Sequence, residues 1–290
     1  MINANFFWHG PSLSLYESAC LKSFVRQGIE VRLHTFNEHL RAPEGVKIVD
    51  ARLLADESEV LAYTQGGHAG SIAAFTDIFR YRVLQKQPGW WFDTDVVCLK
   101  DGAELEKLQA GVSGILVGEE AQGKLNGAVL YVGDTAAAAE LERLANAKGF
   151  VFEWGDIGPQ LITQYLADRP ERVKVAPPLA FYPVHYLETA MLLRQEDADE
   201  CQRRVQSSVC VHLWNEFLRR WEIPKNMLPP EGSFLHRLFT QLEMTVAADA
   251  CLPPASFEAL RHNGDIGRVG TKALRMIKRA KQIKETMVGR

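Results

Sequence analysis

Apolar residues along this chain fall into short runs whose spacing switches repeatedly between two periods. Phe6, Phe7 and Trp8 form a run that stops at His9-Gly10-Pro11, which reads as a strand entering a turn. Leu13, Tyr16, Cys20 and Phe24 then recur at helical spacing. A helix is predicted from Leu13 to about Gln27, with Ser12 as its cap and Gly28 as its stop. Glu30 to Phe36 alternates like a half-buried strand. Strand, helix, strand is the usual opening of a parallel α/β sheet, which binds ligands beyond its strand ends. Further on, Val46–Val49 reads as a short strand, Gly66 to Gly70 as a flexible turn, and Ser71 to about Gln85 as a helix. A strand over 90–98 and a helix over 103–109 follow, then strands at Gly114–Glu119 and Gly127–Val132. Asp134 is placed to cap an alanine-rich helix to about Ala147, and Pro159 to open one reaching Leu166. Residues 173–184 read as short strands, 187–204 as an exposed helix or insertion, Ser208–Leu213 as a late strand and Phe234–Met244 as a helix.

Composition narrows the class. With 47% hydrophobic and 24% charged residues over 290 positions, the chain can bury a sizeable core. A net charge of −3 gives no reason to expect a nucleic-acid partner. Charge is unevenly placed, however. Residues 268–290 hold eight Lys/Arg against one acid, net +7, so the first 267 carry about −10. Five cysteines without a CxxC spacing suggest reduced thiols and a cytoplasmic location rather than a zinc site. No run reaches the roughly 18 apolar residues of a membrane span. The expected organisation is a nucleotide-binding domain over residues 1–250 and a helical basic arm over 251–290.

The densest chemistry lies in residues 73–95, AAFTDIFRYRVLQKQPGWWFDTD. Asp77, Arg80 and Tyr81 stand at i, i+3 and i+4, which puts an acid, a base and a phenol on one helix face. After a break at Pro88-Gly89, the apolar run Trp90-Trp91-Phe92 ends in Asp93 and Asp95. Carboxylates at the end of a buried strand need a counter-charge. Taken singly, each piece has an ordinary reading: an ion pair on a solvated helix face, or a turn at a strand end.

Taken together they form a recognisable signature. Ala73, Thr76, Asp77, Arg80, Tyr81, Gly89, Trp91, Asp93 and Asp95 resemble the DXD-motif sugar-binding region of a glycosyltransferase group. That group spans capsular-polysaccharide, α-1,4-galactosyltransferase-like and yeast initiating-mannosyltransferase-like families, and distantly the clostridial glucosylating toxins. The usual Gly-Gly is here Pro88-Gly89 and the usual Tyr is Trp91, so the turn and packing differ while the ligands remain. The resemblance covers about residues 1–220. It implies the GT-A fold, a Rossmann-like mixed sheet flanked by helices, and Mn2+ or Mg2+ as cofactor. By the same similarity Asp95 binds the metal, Asp93 the ribose and metal shell, and Asp77 and Arg80 the donor sugar, with Tyr81 beside them. Trp8 and His9 resemble the opening loop where the nucleotide base sits. The resemblance also implies a place near the reacting sugar for Asn126, and makes Asp156, before Gly158-Pro159, a candidate acceptor contact. His212 and Trp214 resemble a closing His-x-Trp, in which His212 completes the metal shell or touches the diphosphate and Trp214 covers it.

The activity so implied is transfer of a hexose from a nucleotide-diphosphate sugar, a UDP-sugar in the first instance, to a glycan or lipid-linked hydroxyl. Retention of configuration and a role in surface polysaccharide, lipopolysaccharide or capsule synthesis go with it. A different class is also readable: Phe92-Asp93-Thr94-Asp95 superficially matches a haloacid-dehalogenase phosphatase, which would leave Asp77 and Arg80 without a task. An inactive sugar-binding protein is a third reading. Ala273, Ile277, Ala280, Ile283 and Met287 recur at three and four among basic residues, as in helices that lie on anionic membranes. Deleting residues 268–290 is therefore expected to release the protein from anionic vesicles in a co-sedimentation assay. If the intact chain never binds them, the arm has a structural role instead.

Overall fold

The computed structural model describes residues 2–60, 72–149, 155–248 and 250–266. Its centre is β1 (Asn3–Trp8), flanked by β2 (Glu30–Thr35) and β4 (Gly89–Phe92), both parallel to it. β3 (Val46–Asp50) extends the sheet beyond β2. On the other side β7 (Lys124–Val132) runs antiparallel to β4 and to β6 (Ile115–Ala121), and β8 (Val173–Ala176) closes the edge parallel to β6. The seven-stranded order is β3-β2-β1-β4-β7-β6-β8. The chain moves outward from β1 to β3 and then returns to β4 on β1's far side. The crevice between the ends of β1 and β4 is thus the switch point where open α/β sheets bind ligands.

Side chains alternate across the sheet and feed two cores. Trp91 points to one face, under α2 (Ala73–Lys86), α4 (Thr135–Asn146) and α5 (Pro159–Asp168), and joins Phe75, Phe79 and Tyr81. Trp90 and Phe92 point to the other and pack with Phe6 and Phe24, the latter from α1 (Leu15–Arg26), in a cluster that also holds Leu105 of α3 (Gly102–Gln109). A third cluster binds α1 to the C-terminal part of the chain through Tyr16, Leu193, Leu235 and Phe239.

Several expected elements change. The single strand over 90–98 is two strands in different sheets: β4 ends at Phe92, and β5 (Val96–Cys98) pairs antiparallel with β9 (Cys210–His212). Asp93-Thr94-Asp95 forms the turn between them, closed by the Val96 amide on the Asp93 carbonyl at 3.0 Å. Residues 173–184 hold one strand, β8, and then a helical turn at Pro178–Phe181. Residues 187–204 are not an exposed insertion, because Leu192, Leu193, Ala198 and Cys201 are buried in the third cluster. Residues 251–266 also pack on the body, with Leu252 and Phe257 in that cluster and the Trp221 indole donating to Asp265. The basic stretch 268–290 and the Gly66–Gly70 turn lie outside the described residues.

The first helix starts two residues later than expected. Ser14, not Ser12, is its cap: the Ser14 hydroxyl accepts from the Tyr16 amide at 3.1 Å while Glu17 accepts from the Ser14 amide at 3.1 Å. Ser-x-x-Glu is a reciprocal capping box, and it outranks a lone Ser next to a proline. Ser14→Ala should lower unfolding free energy by about 1 kcal/mol in chemical denaturation, whereas Ser12→Ala should leave it unchanged.

Candidate active site

One turn of α2 supplies Asp77 and Arg80 to the interior, where they are 8% and 4% exposed. Arg80 bridges two acids. One amino group meets Asp77 Oδ1 at 2.9 Å and the other meets Asp93 Oδ1 at 3.0 Å. The Trp91 indole donates to the same Asp93 oxygen at 2.8 Å, and its ring lies 5.6 Å from the Arg80 guanidinium carbon. Two acids and one base leave this cluster one negative charge when all are ionised. Burial lifts the Asp77 carboxyl to about 6, opposed by Arg80 and assisted by Asp93. Burial opposes the Arg80 charge, but Asp93 and Asp77 more than restore it.

Room for this cluster comes from missing side chains. β7 skips register against β6, from Val117↔Leu130 to Gly118↔Asn126, so Gly127–Val129 bulge out of the ladder. A Cβ at Gly127 would strike the Arg80 guanidinium, and one at Gly158, the cap of α5, would strike the Asp77 carboxylate. The bulge also turns the Ala128 carbonyl toward the Asp93 amide, at 2.8 Å. Tyr81, expected beside the sugar, is instead in the core, where its hydroxyl donates to the Ile157 carbonyl at 3.1 Å and fixes the loop before Gly158.

Asp95 is held separately, from the β5–β9 side. Its Oδ1 lies 3.1 Å from His212 Nε2, its Oδ2 accepts from the Asn215 amide at 2.8 Å, and its carbonyl accepts from the Leu213 amide at 2.8 Å. Burial would raise the Asp95 carboxyl, but His212 by charge and hydrogen bond and the Asn215 amide hold it below the usual range. His212 is likewise penalised by burial and raised on balance by Asp95. Trp214 packs edge-on at 4.1 Å from the His212 ring and donates its indole N–H to the Val184 carbonyl, so it braces His212 rather than lying open to a ligand.

Asp93, Asp95 and His212 do not form a closed cage. Among the described residues no group of three or more His, Cys, Asp or Glu is gathered to hold a metal by itself. The expected three-ligand set is loosened because Asp93 turns to Arg80 and Trp91. What remains fits an open site, since Mg2+-type ions commonly take one or two carboxylates and leave the rest to water and phosphate. The Asp95–His212 separation suits a proton or a cation between the two atoms, and His212 Nδ1 is buried without a partner.

The opening loop stands at the same sheet edge. His9 faces Glu57 at 3.4 Å and lines a cleft of about 320 Å3 with Gly10, Pro11, Thr35, Phe36 and Glu57. Trp8 is half-buried beside it, and its indole N–H is buried without a partner. Asn126 is tied on three sides: its amide donates to Glu120 at 2.7 Å, its Oδ1 accepts from the Ala128 amide at 2.8 Å, and its carbonyl accepts from the Tyr182 hydroxyl at 2.9 Å. Asp156 is half-buried two residues before Gly158. Sequence reasoning missed Tyr182, which pins the bulge through the Asn126 carbonyl and the Val129 amide, because PPLAFYPV carries no motif. It also missed Glu17, although the Ser14-x-x-Glu17 capping box was there to be read.

Known proteins resemble parts of this chain. Residues 151–239 match the family model described as Alpha 1,4-glycosyltransferase conserved region. Lactosylceramide 4-alpha-galactosyltransferase of Homo sapiens and that of Pan troglodytes are each 25% identical over 159 residues, covering 50% of this chain and 42% of theirs. The match thus spans less than half the length of these curated relatives. The galactosyltransferase LgtC, solved with donor and acceptor sugar analogs, aligns with a TM-score of 0.51 at 12% identity over 88% of this chain and 98% of its own. The bifunctional glycosyltransferase WbbM aligns at 0.50 and 11% identity over 85% and 50%. The fold is that of the GT-A glycosyltransferases, as the sequence implied, and it takes the place of the phosphatase alternative. Within that fold, residues 151–239 are the part that resembles the α-1,4-glycosyltransferase conserved region.

Gly127→Ala and Gly158→Ala should each displace the charged cluster. A loss of donor affinity of about tenfold or more is expected in calorimetric titration, with only about 1–3 kcal/mol of stability lost to overpacking.

Proposed function

We propose that this chain is a metal-dependent glycosyltransferase of the α-1,4-galactosyltransferase type. It moves a hexose from a nucleotide-diphosphate sugar, taken as a UDP-sugar, to a hydroxyl of a glycan or lipid-linked acceptor. The observation that carries the reading is Arg80, buried between Asp77 and Asp93 and one turn of chain from the Asp95–His212 pair. That arrangement sets polar groups fit for a sugar beside polar groups fit for a diphosphate, in the crevice at the β1–β4 switch point.

Asp77 accepts hydrogen bonds from donor-sugar hydroxyls, and Arg80 orients it while donating planar N–H groups to sugar oxygens. Asp93 takes the ribose hydroxyls. Asp95 and His212 hold Mn2+ or Mg2+. The cation, when bound, neutralises the charge that develops on the departing diphosphate. Trp8 and His9 border the cleft for the nucleotide base. Asn126 faces the reacting sugar and Asp156 the acceptor. Retention is what the resemblance implies, and front-side displacement would achieve it without a covalent nucleophile; no carboxylate among the described residues stands out as one. Catalysis then comes from positioning and from fixed charges around the leaving group. The acceptor belongs to surface polysaccharide, lipopolysaccharide or capsule synthesis. The protein works in the cytoplasm as one catalytic domain, with the basic stretch 268–290 on the inner membrane face.

A thermal-shift panel of nucleotide sugars, run with Mn2+ and again with chelator, tests this directly. A donor-specific, metal-dependent shift accompanied by donor turnover is expected. A shift without turnover would mark an inactive sugar-binding relative, and no shift with any donor would sink the reading. Asp95→Asn should abolish Mn2+-dependent donor hydrolysis in a folded protein. Arg80→Ala should weaken the nucleotide sugar more than the bare nucleotide diphosphate, and equal losses would move Arg80 off the sugar.

A further inference from the structure

Glu17 is an unusual residue to find in the interior. A capping-box glutamate serves equally well from the surface, yet Glu17 is only 1% exposed. A buried carboxylate requires partners, and those of Glu17 come from one distant segment. Its Oε1 accepts from Lys225 Nζ at 2.6 Å and from the Asn215 side-chain amide at 3.2 Å. The Leu15 amide donates to the Lys225 carbonyl at 3.1 Å, which fastens the start of α1 to the same segment.

That segment is the one that holds Asp95. Trp214 adopts φ 55° and ψ 54°, a left-handed conformation that is costly for a bulky side chain. The turn it makes aims the Asn215 backbone amide at Asp95 Oδ2, 2.8 Å away. Asn215 is therefore held at both ends, its amide N–H on Asp95 and its side chain on Glu17. Lys225 supplies the positive charge that pairs with the buried Glu17 carboxylate, at 2.6 Å. Freed from Glu17, residue 215 would relax out of the strained turn and its amide would leave Asp95.

We infer that Glu17, Lys225 and Asn215 form a positioning network that fixes the Asp95 carboxylate from behind, with Oδ2 occupied and Oδ1 presented beside His212. The inference rests on the reading of Asp95 as a cation-binding carboxylate. Outer-shell partners of this kind orient a metal ligand before the metal arrives, and their loss costs metal affinity without removing a ligand.

The test uses the full chain with Asn215→Ala, Lys225→Met and Glu17→Gln. Two quantities are measured: hydrogen exchange of the residue-215 amide without metal, and Mn2+ affinity in the presence of UDP by calorimetry. Each variant should lose protection locally at residue 215 and bind Mn2+ about 10–100-fold more weakly, while amides elsewhere keep their protection. Unchanged protection at 215 together with unchanged Mn2+ affinity would overturn the network. So would a uniform loss of protection along the chain, the mark of an ordinary structural ion pair. If the parent chain binds no Mn2+ with UDP, the metal reading of the site fails. The network is then decided by the residue-215 amide alone, supported by local loss and overturned by none.

Discussion

A guanidinium shared between two buried carboxylates is the contact on which the site depends. Arg80 lies between Asp77 and Asp93, and none of the three is affordable inside the protein without the others. Removing one partner of such a cluster costs on the order of 3–5 kcal/mol, because the remaining charge is stranded. The surroundings show how much structure is committed to it. The sheet gives up ladder hydrogen bonds at the β7 bulge, Gly127 and Gly158 keep two approaches clear, and Tyr81 anchors the loop that ends at Gly158. The cluster is nearly saturated internally, and the Arg80 Nε is left without a partner.

Asp93 and Asp95 are close in sequence but belong to different bodies. Asp93 ends a strand of the large sheet and answers to α2. Asp95 immediately precedes the small β5–β9 sheet and answers to His212 and Asn215. A single turn hydrogen bond, from the Val96 amide to the Asp93 carbonyl, sets their relation. A ligand that spanned this joint would also lock the two sheets together. The C-terminal cluster matters for the same reason. It packs α1 against residues 184–257 and so fixes β9, and with it His212, relative to the main sheet.

Local pattern was enough for much of this. The parallel opening strands, the Asp134 cap, the proline at the start of α5 and the Asp77/Arg80/Asp93/Asp95 set all follow from short-range spacing. His212 was also reachable, because His-x-Trp at a strand end is a local signal. Errors arose where neighbours in sequence part company in space. Trp90 through Cys98 is one apolar run, and periodicity cannot show that its halves join different sheets. Leu192, Leu193 and Cys201 sit among charged residues, a pattern that predicts surface, although packing in the third cluster buries them.

What the sequence determined by itself is the inventory: an α/β chain with an acid, a base and two strand-end carboxylates in a pattern that resembles a sugar-binding region. Only the tertiary structure decided how each is used. It turned Tyr81 inward, tied Asp93 to Arg80 rather than to Asp95, and brought Glu17 to Asn215 across the chain. The physical reason is range. Helical and strand periods record which face a residue occupies, but the cost of burying a charge is met by whichever partner the fold brings within hydrogen-bond distance, and that partner can be nearly 200 positions away.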